Sequence, residues 1–427
     1  MSIRSVGTLL PTLLVPLLCA WLAPTAVAQP LTLDRALELA RARSQAVVAQ
    51  ESAATAAREL AVAAGQLPDP TLTVGINNLP VTGPDRFSLT DDFMTMRSIG
   101  VMQEFTREGK RKARSARYER EAESAEAGKQ LAVANLSRDT ALAWLDRYYQ
   151  EVIATMLRRQ RDEAMLSTDA AEATYRGGRG SQGDVIMARA AVAMIDDRIA
   201  QNDREVLTAK TMLARWVGTP ATDPLAAPPS TATSPIDVAD LDSRLAHHPA
   251  IAVLTKQEEV AQAEAEVARA AKDTDWSVAL MYSQRGPSYS NMVSINVSIP
   301  LQWDQRNRQD REVAAKLALA DQARAQREEM LRDHLAEIRV MWQEWQSYRE
   351  RLGRYDSTLV PLATERMRAA MTAYRSGTGP LATVLDARRS EIDTGFERLK
   401  LELESARVWA RLHFLIPPEH SARAVRG

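Results

Sequence analysis

His247 and His248 stand side by side in a chain of 427 residues with only five histidines, and imidazoles are the side chains here best suited to a transition metal. Neighbouring residues on a helix point about 100° apart, so such a pair rarely closes on one ion. His334, His413 and His420 are scattered. Contact between chain segments is the ordinary reading of the pair. A second candidate for chemistry is the glycine-rich run Gly177-Gly178-Arg179-Gly180-Ser181-Gln182-Gly183. A phosphate cradle needs a preceding strand and a following Gly-Lys-Ser/Thr, and neither is present. The many carboxylates fall in mixed-charge helix faces such as Glu397–Glu404, which read as solvated surface. No HExxH, GxSxG or CxxC occurs. Without a convergent nucleophile, acid, base or ligand set, the sequence reads as a non-enzyme with no catalytic residue, cofactor or resident metal.

The elements that would carry such residues begin after a cleavable leader. Arg4, the apolar Leu9–Leu22 run and Ala26-Val27-Ala28 have the layout of a secretory signal over residues 1–28, with the mature chain starting at Gln29. The only cysteine, Cys19, lies inside that leader behind Leu18. A bulky residue there is a poor match to a lipoprotein signal. The mature chain then forms no disulfide. Loss of Arg4 from 54 basic residues against 55 acidic leaves a slightly acidic protein, with no basic field to attract nucleic acid. Beyond Gln29 nothing approaches the ~18 apolar residues of a spanning helix. The chain is therefore either soluble outside the inner membrane or spans a membrane by strands.

The sequence is written twice. YRGGRGSQGDVIMAR at Tyr175–Arg189 and YRSGTGPLATVLDAR at Tyr374–Arg388 agree at 7 of 15 positions. Leu37–Val47 corresponds to Leu241–Ile251, Ser98–Val101 to Ser294–Val297 and Trp144 to Trp342, in the same order. This divides the chain into a first repeat, 29–217, a proline-rich connection, 218–240, a second repeat, 241–416, and a tail, 417–427. Each repeat reads helix, two strands, a very long helix, a short break and a long helix. Leu142, Leu145, Tyr149, Val152 and Met156 alternate steps of 3 and 4, as do Leu331, Leu335, Ile338, Trp342 and Trp345. That spacing marks coiled-coil seams. Period-two alternation predicts strand pairs over about 71–105 and about 276–301. The breaks near 176–183 and 376–382 predict hairpin tips, one per repeat, because their glycines stop a helix and reverse the chain.

Four strands cannot close a wall, and open edges cannot face lipid. If the strands cross a membrane, several chains share one barrel. Two chains give eight strands, an interior filled by side chains; three give twelve and a lumen. A small soluble sheet capping a helical rod is the alternative. Phe105 and Trp303, at the helix-side ends of the second strand of each pair, stand where a membrane-girdle aromatic belongs and so favour the barrel.

The two-fold repeat, the strand pairs feeding long helices, QEFTREGKRKAR after the strand and the YRxGxG…VxxAR hairpins together resemble the TolC-type outer-membrane efflux protein family over Gln29–Pro417. The resemblance implies a mainly α protein with a small β part: a trimer whose four strands per chain make a 12-stranded outer-membrane barrel above a periplasmic α-barrel of coiled-coil hairpins. It implies a passive duct working with a periplasmic adaptor (membrane fusion) protein and an inner-membrane resistance-nodulation-division pump. Gln103–Arg111 is most similar to the heavy-metal branch. By resemblance, Gly178, Arg179, Gly180, Gly377, Thr378 and Gly379 form the adaptor contact, and Asp386, with Asp184 on the matching helix, lies at the pore entrance. A surface pair of Asp386 with Arg388 or Arg389 is the other reading. Where the family often has Asn-Pro at a helix start, this chain has Arg43-Ser44-Gln45 and His247-His248-Pro249, which leaves those helix starts open. A multidrug or other small-molecule efflux duct of the same fold, and a soluble periplasmic coiled-coil scaffold or adaptor, are the competing functions.

Overall fold

The computed structural model describes residues 30–233 and 248–415. The leader with Cys19, the start at Gln29, His247, Leu241 and the tail lie outside the described residues. In the first repeat α1 (Leu33–Arg43) and α2 (Gln45–Ala64) lead to β1 (Thr71–Asn77) and β2 (Met96–Phe105), then α3 (Glu108–Arg176) and α4 (Gln182–Val217). In the second, α5 (Pro249–Ala270) leads to β3 (Trp276–Gln284) and β4 (Met292–Ser298), then α6 (Gln309–Arg354), α7 (Val360–Arg375) and α8 (Leu381–His413).

Both doubtful helix starts form, each with its own cap. The Ser44 hydroxyl accepts the Val47 N–H at 3.3 Å to begin α2. Nδ1 of His248 accepts the Ala250 N–H at 3.2 Å, with Pro249 in the first turn of α5. A hydroxyl or imidazole acceptor replaces the missing asparagine, and proline suits a first turn because its absent N–H has no partner to lose.

Helix α3 runs 69 residues, about 100 Å, without a break. Its counterpart is a rod in two pieces, α6 and α7, joined by a π-helical turn at Tyr355–Leu359. The cause is Pro361: its ring would clash with the carbonyl one turn back, and the wider turn relieves the clash without stopping the helix. The seams converge on one core in which Leu145 and Tyr149 of α3, Ile338 and Trp345 of α6, and Trp409 of α8 are buried together. Trp144 is wholly buried there and donates Nε1–H to the Leu31 carbonyl at 3.0 Å, whereas its sequence counterpart Trp342 is only half-buried. Leu31 in turn pairs with the connecting segment, donating to Pro224 O at 2.8 Å and accepting from Ala226 N at 3.2 Å. The segment at Leu31 and the connection are thus held against the middle of the rods.

The strands form one antiparallel sheet, ordered β1-β2-β3-β4. β2 pairs with β3, so the two repeats join at the centre of the sheet. β4 stops at Ser298, leaving Ile299 and Leu301 outside it. Below the sheet, Asp275 accepts from the Arg107 backbone N–H at 2.9 Å and from Lys110 Nζ at 2.7 Å. Burial alone would raise the Asp275 carboxyl, but these two donors outweigh it and hold the group below the usual carboxylate range. The TREGKRKAR stretch therefore clamps the exit of one repeat's strands to the approach of the other's.

Candidate functional site

Both hairpin tips are built by the same local rule. At the first, Gly178 N–H bonds to Tyr175 O and Arg179 N–H to Thr174 O, each at 3.0 Å; at the second, Gly377 bonds to Tyr374 O at 3.0 Å and Thr378 to Ala373 O at 2.9 Å. This is a Schellman motif, which needs a left-handed residue. Gly178 has φ +70° and Gly377 φ +75°. The second glycine of each phrase answers a different need: a Cβ at Gly180 would meet Thr174 Cγ2 at 3.2 Å, and one at Gly379 would meet Ala373 Cβ at 3.0 Å. Turn geometry thus explains why the YRxGxG phrase recurs. Arg179 and Thr378 stand exposed at the apices. Gly178→Val is expected to strain the first tip by about 1–2 kcal/mol and to speed tryptic cleavage at Arg176 and Arg179, with Gly183→Ala as the unaffected control.

Near the tips the hairpins pack on each other through Ala171, Val185, Leu381 and Val384. Thr174 Oγ1 lies 3.4 Å from Tyr374 Oη, so the two copies of the phrase touch.

The sheet has two unlike faces. One carries Leu72, Val101, Leu280 and Ile295 in one register row and Val74, Ile99, Tyr282 and Val293 in the next. All eight are exposed. The other face reads Thr73-Gly100-Met281-Ser294 and Gly75-Ser98-Ser283-Met292 across the same strands. Phe105 and Trp276 close the helix-side end of the apolar face, paired in register and stacked at 4.4 Å. Trp303 lies past the end of β4 and is 87% exposed. Trp276 was legible as a strand residue, but its place beside Phe105 needed the β2–β3 register.

Residues 241–416 match the family model described as outer membrane efflux protein. The match takes in the second repeat. Proteins of this family are conduits, not enzymes. No curated protein sequence matches the chain. Among solved structures, the outer membrane protein VceC from Vibrio cholerae is similar, at 20% identity over 90% of this chain and 95% of that one, TM-score 0.74. A membrane protein from Pseudomonas aeruginosa is similar at 16% identity, 90% and 92% coverage and TM-score 0.77. CusC, whose structures concern transmembrane channel formation, is similar at 15% identity, 89% and 91% coverage and TM-score 0.71. At these identities the likeness establishes the mainly helical, four-stranded fold.

The two candidate entrance aspartates sit differently. Asp184 belongs to a capping box: its backbone N–H donates to Ser181 Oγ at 3.1 Å and its carboxylate accepts from Ser181 N at 3.0 Å. Asp386, on α8 and two-thirds exposed, pairs with Arg366 of α7 rather than with Arg388 or Arg389. The correction has a geometric cause. Residues two apart on a helix do not face each other, which removes Arg388; Arg389 turns to Asp393 at 3.8 Å. Arg388 is nearly buried and ties α3 to α8 through Glu163 and Glu391. Both members of the Asp386–Arg366 pair are mostly exposed, so it contributes little stability.

His248 is not beside a metal-like cluster; among the described residues no group of three His, Cys, Asp or Glu could hold one. Its ring meets that of His334 edge-on at 5.0 Å, and burial, with smaller contributions from His334 and Arg138, pushes its pKa down to about 4.

Proposed function

We propose that three copies of this chain close a 12-stranded barrel in the outer membrane over a periplasmic helical barrel, making a passive duct. The one-sided sheet carries this reading. Its apolar face has no covering element among the described residues, and the outer edges of β1 and β4, seven residues each, have no strand beside them there. In hydrocarbon each unpaired backbone group costs several kcal/mol, so such edges must meet: β4 of one copy on β1 of the next, which keeps every pairing antiparallel. The nine residues of β3 give about 30 Å of strand, which at a tilt near 40° spans roughly 23 Å, close to the apolar band of such barrels. Phe105, Trp276 and Trp303 then serve the periplasmic girdle.

In this reading the tips at Gly178, Arg179, Gly180, Gly377, Thr378 and Gly379 meet a periplasmic adaptor, which links the duct to an inner-membrane resistance-nodulation-division pump. Asp386 supplies three like charges at the entrance, and Asp184 flanks them. The resemblance of Gln103–Arg111 to the heavy-metal branch supports metal cations as cargo.

Placing one charge on either face tests the duct. Leu280→Arg is expected to cost about 2–4 kcal/mol per chain at the bilayer centre and to abolish recovery of trimer from outer membranes, while Thr73→Arg on the opposite face assembles normally. Equal recovery of both variants, or release of the wild-type protein by salt washing, would instead favour a soluble periplasmic scaffold.

A further inference from the structure

The small, polar face of the sheet carries side chains that polarity does not explain. Met102 of β2, Met281 of β3 and Met292 of β4 all lie on it. Every other residue in their three rows is Ser, Thr, Asn, Gly or Ala. Met281 pairs with Gly100 on one side and Ser294 on the other. Met102 is therefore two residues from its partner on β2, and Met292 two residues from its partner on β4. Both are diagonal neighbours of Met281, at a separation that long side chains bridge. Beside Met281 the β2 position is bare: a Cβ at Gly100 would fall 2.9 Å from the Leu280 carbonyl oxygen and 3.2 Å from Met281 Cβ, so glycine is required there and leaves room next to Met281. The outer two members are open, Met102 being 38% and Met292 44% exposed.

A thioether is a poor ligand for hard or borderline cations but a good one for soft monovalent ions, which accept two or three sulfur donors. We propose that Met102, Met281 and Met292 form a thioether site for a soft monovalent cation, Cu(I) or Ag(I), with Met281 as the central ligand. That the site faces the lumen, and so gives the duct's cargo a chemical class, rests on the proposed barrel; the placing of the three methionines as diagonal neighbours on one face rests on the strand register alone. A way-station of this kind has to be weak and open to let its ion leave, and exposed thioethers meet that condition.

The test uses the full-length protein in detergent and chloride-free buffer, titrated with silver nitrate alone, with a Met102→Leu, Met281→Leu, Met292→Leu triple variant beside it. Leucine keeps the volume and removes the donor. Wild type is expected to retain silver with sulfur scattering in its X-ray absorption spectrum, and the triple variant to bind at least about tenfold more weakly, since a direct ligand should count for no less than an outer-shell partner. Met281→Leu alone should remove most of the difference, and zinc sulfate should distinguish none of the proteins. Equal silver binding by wild type and triple variant would overturn the site, as would oxygen or nitrogen scattering alone. Circular dichroism and export of an uncharged antibiotic check that the variant is folded and conducting. A protein that exports antibiotic but shows no thioether silver loses the site and keeps the duct; one that binds silver through sulfur but never reaches the outer membrane loses the duct and keeps the site.

Discussion

Arg147→Met is expected to lower the stability of the purified protein by about 3–5 kcal/mol, seen as a large downward shift of the circular-dichroism melt. The Arg147 side chain is 2% exposed, and each of its three guanidinium nitrogens donates a hydrogen bond. Nη1 donates to Ala221 O at 2.5 Å, Nη2 to Asp223 O at 2.7 Å and Nε to Glu151 at 3.0 Å. Methionine fills much of the same volume but leaves two carbonyls of the connecting segment without a donor, at about 1–3 kcal/mol each. Glu151 suffers less, because Lys210 stands 3.3 Å away. The comparison variant is Arg158→Met: Arg158 makes an exposed pair with Asp203, and its loss should stay within about 1 kcal/mol. An Arg147→Met melt matching that of Arg158→Met would show that the connection is held by packing rather than by the guanidinium.

The second large effect is a dependence on pH. His248 is held neutral in the fold, with its pKa pushed from 6.5 down to about 4 by burial beside His334 and Arg138. As pH falls through that interval the unfolded chain takes up a proton that the folded chain refuses, so stability drops between about 6.5 and 4 and levels off below. Complete expression of the shift amounts to roughly 3 kcal/mol. Protonation would also require Nδ1 to carry a hydrogen, ending its acceptance of the Ala250 N–H. Around the ring stand Arg138 of α3 and His334 of α6, the latter paired with Glu337 at 3.2 Å. His248→Asn separates capping from titration. Asparagine caps as well as any residue and does not ionise, so this variant should match wild type at pH 7.5 and exceed it at pH 4.5. His248→Ala should be weaker at pH 7.5 by about 1 kcal/mol through the lost cap. If His248→Asn melts with the same pH dependence as wild type, another group sets it.

How much was legible followed from how local each cause is. The tips were readable because a Schellman turn is decided within six residues, and the chain writes the pattern YRxGxG twice. Pro361 was visible too, but whether it breaks a rod or is absorbed in one π turn depends on what holds the rod on either side. The partner of Asp386 was misread because sequence offers near neighbours, while Arg366 arrives from the helix across the hairpin. His248 could be seen as a departure from an Asn-Pro start; its second role against His334 joins residues far apart in the chain.

The sequence by itself determined the duplicated plan, the length of the rods, the positions of the reversals and the incompleteness of a four-stranded wall, since periodicity, glycine placement and strand number are properties of the chain alone. Tertiary structure decided which strands are neighbours, and hence which side chains share a row. Strand order and register arise from pairings between distant segments, and a shift of one residue would exchange the apolar face for the one that carries the methionines.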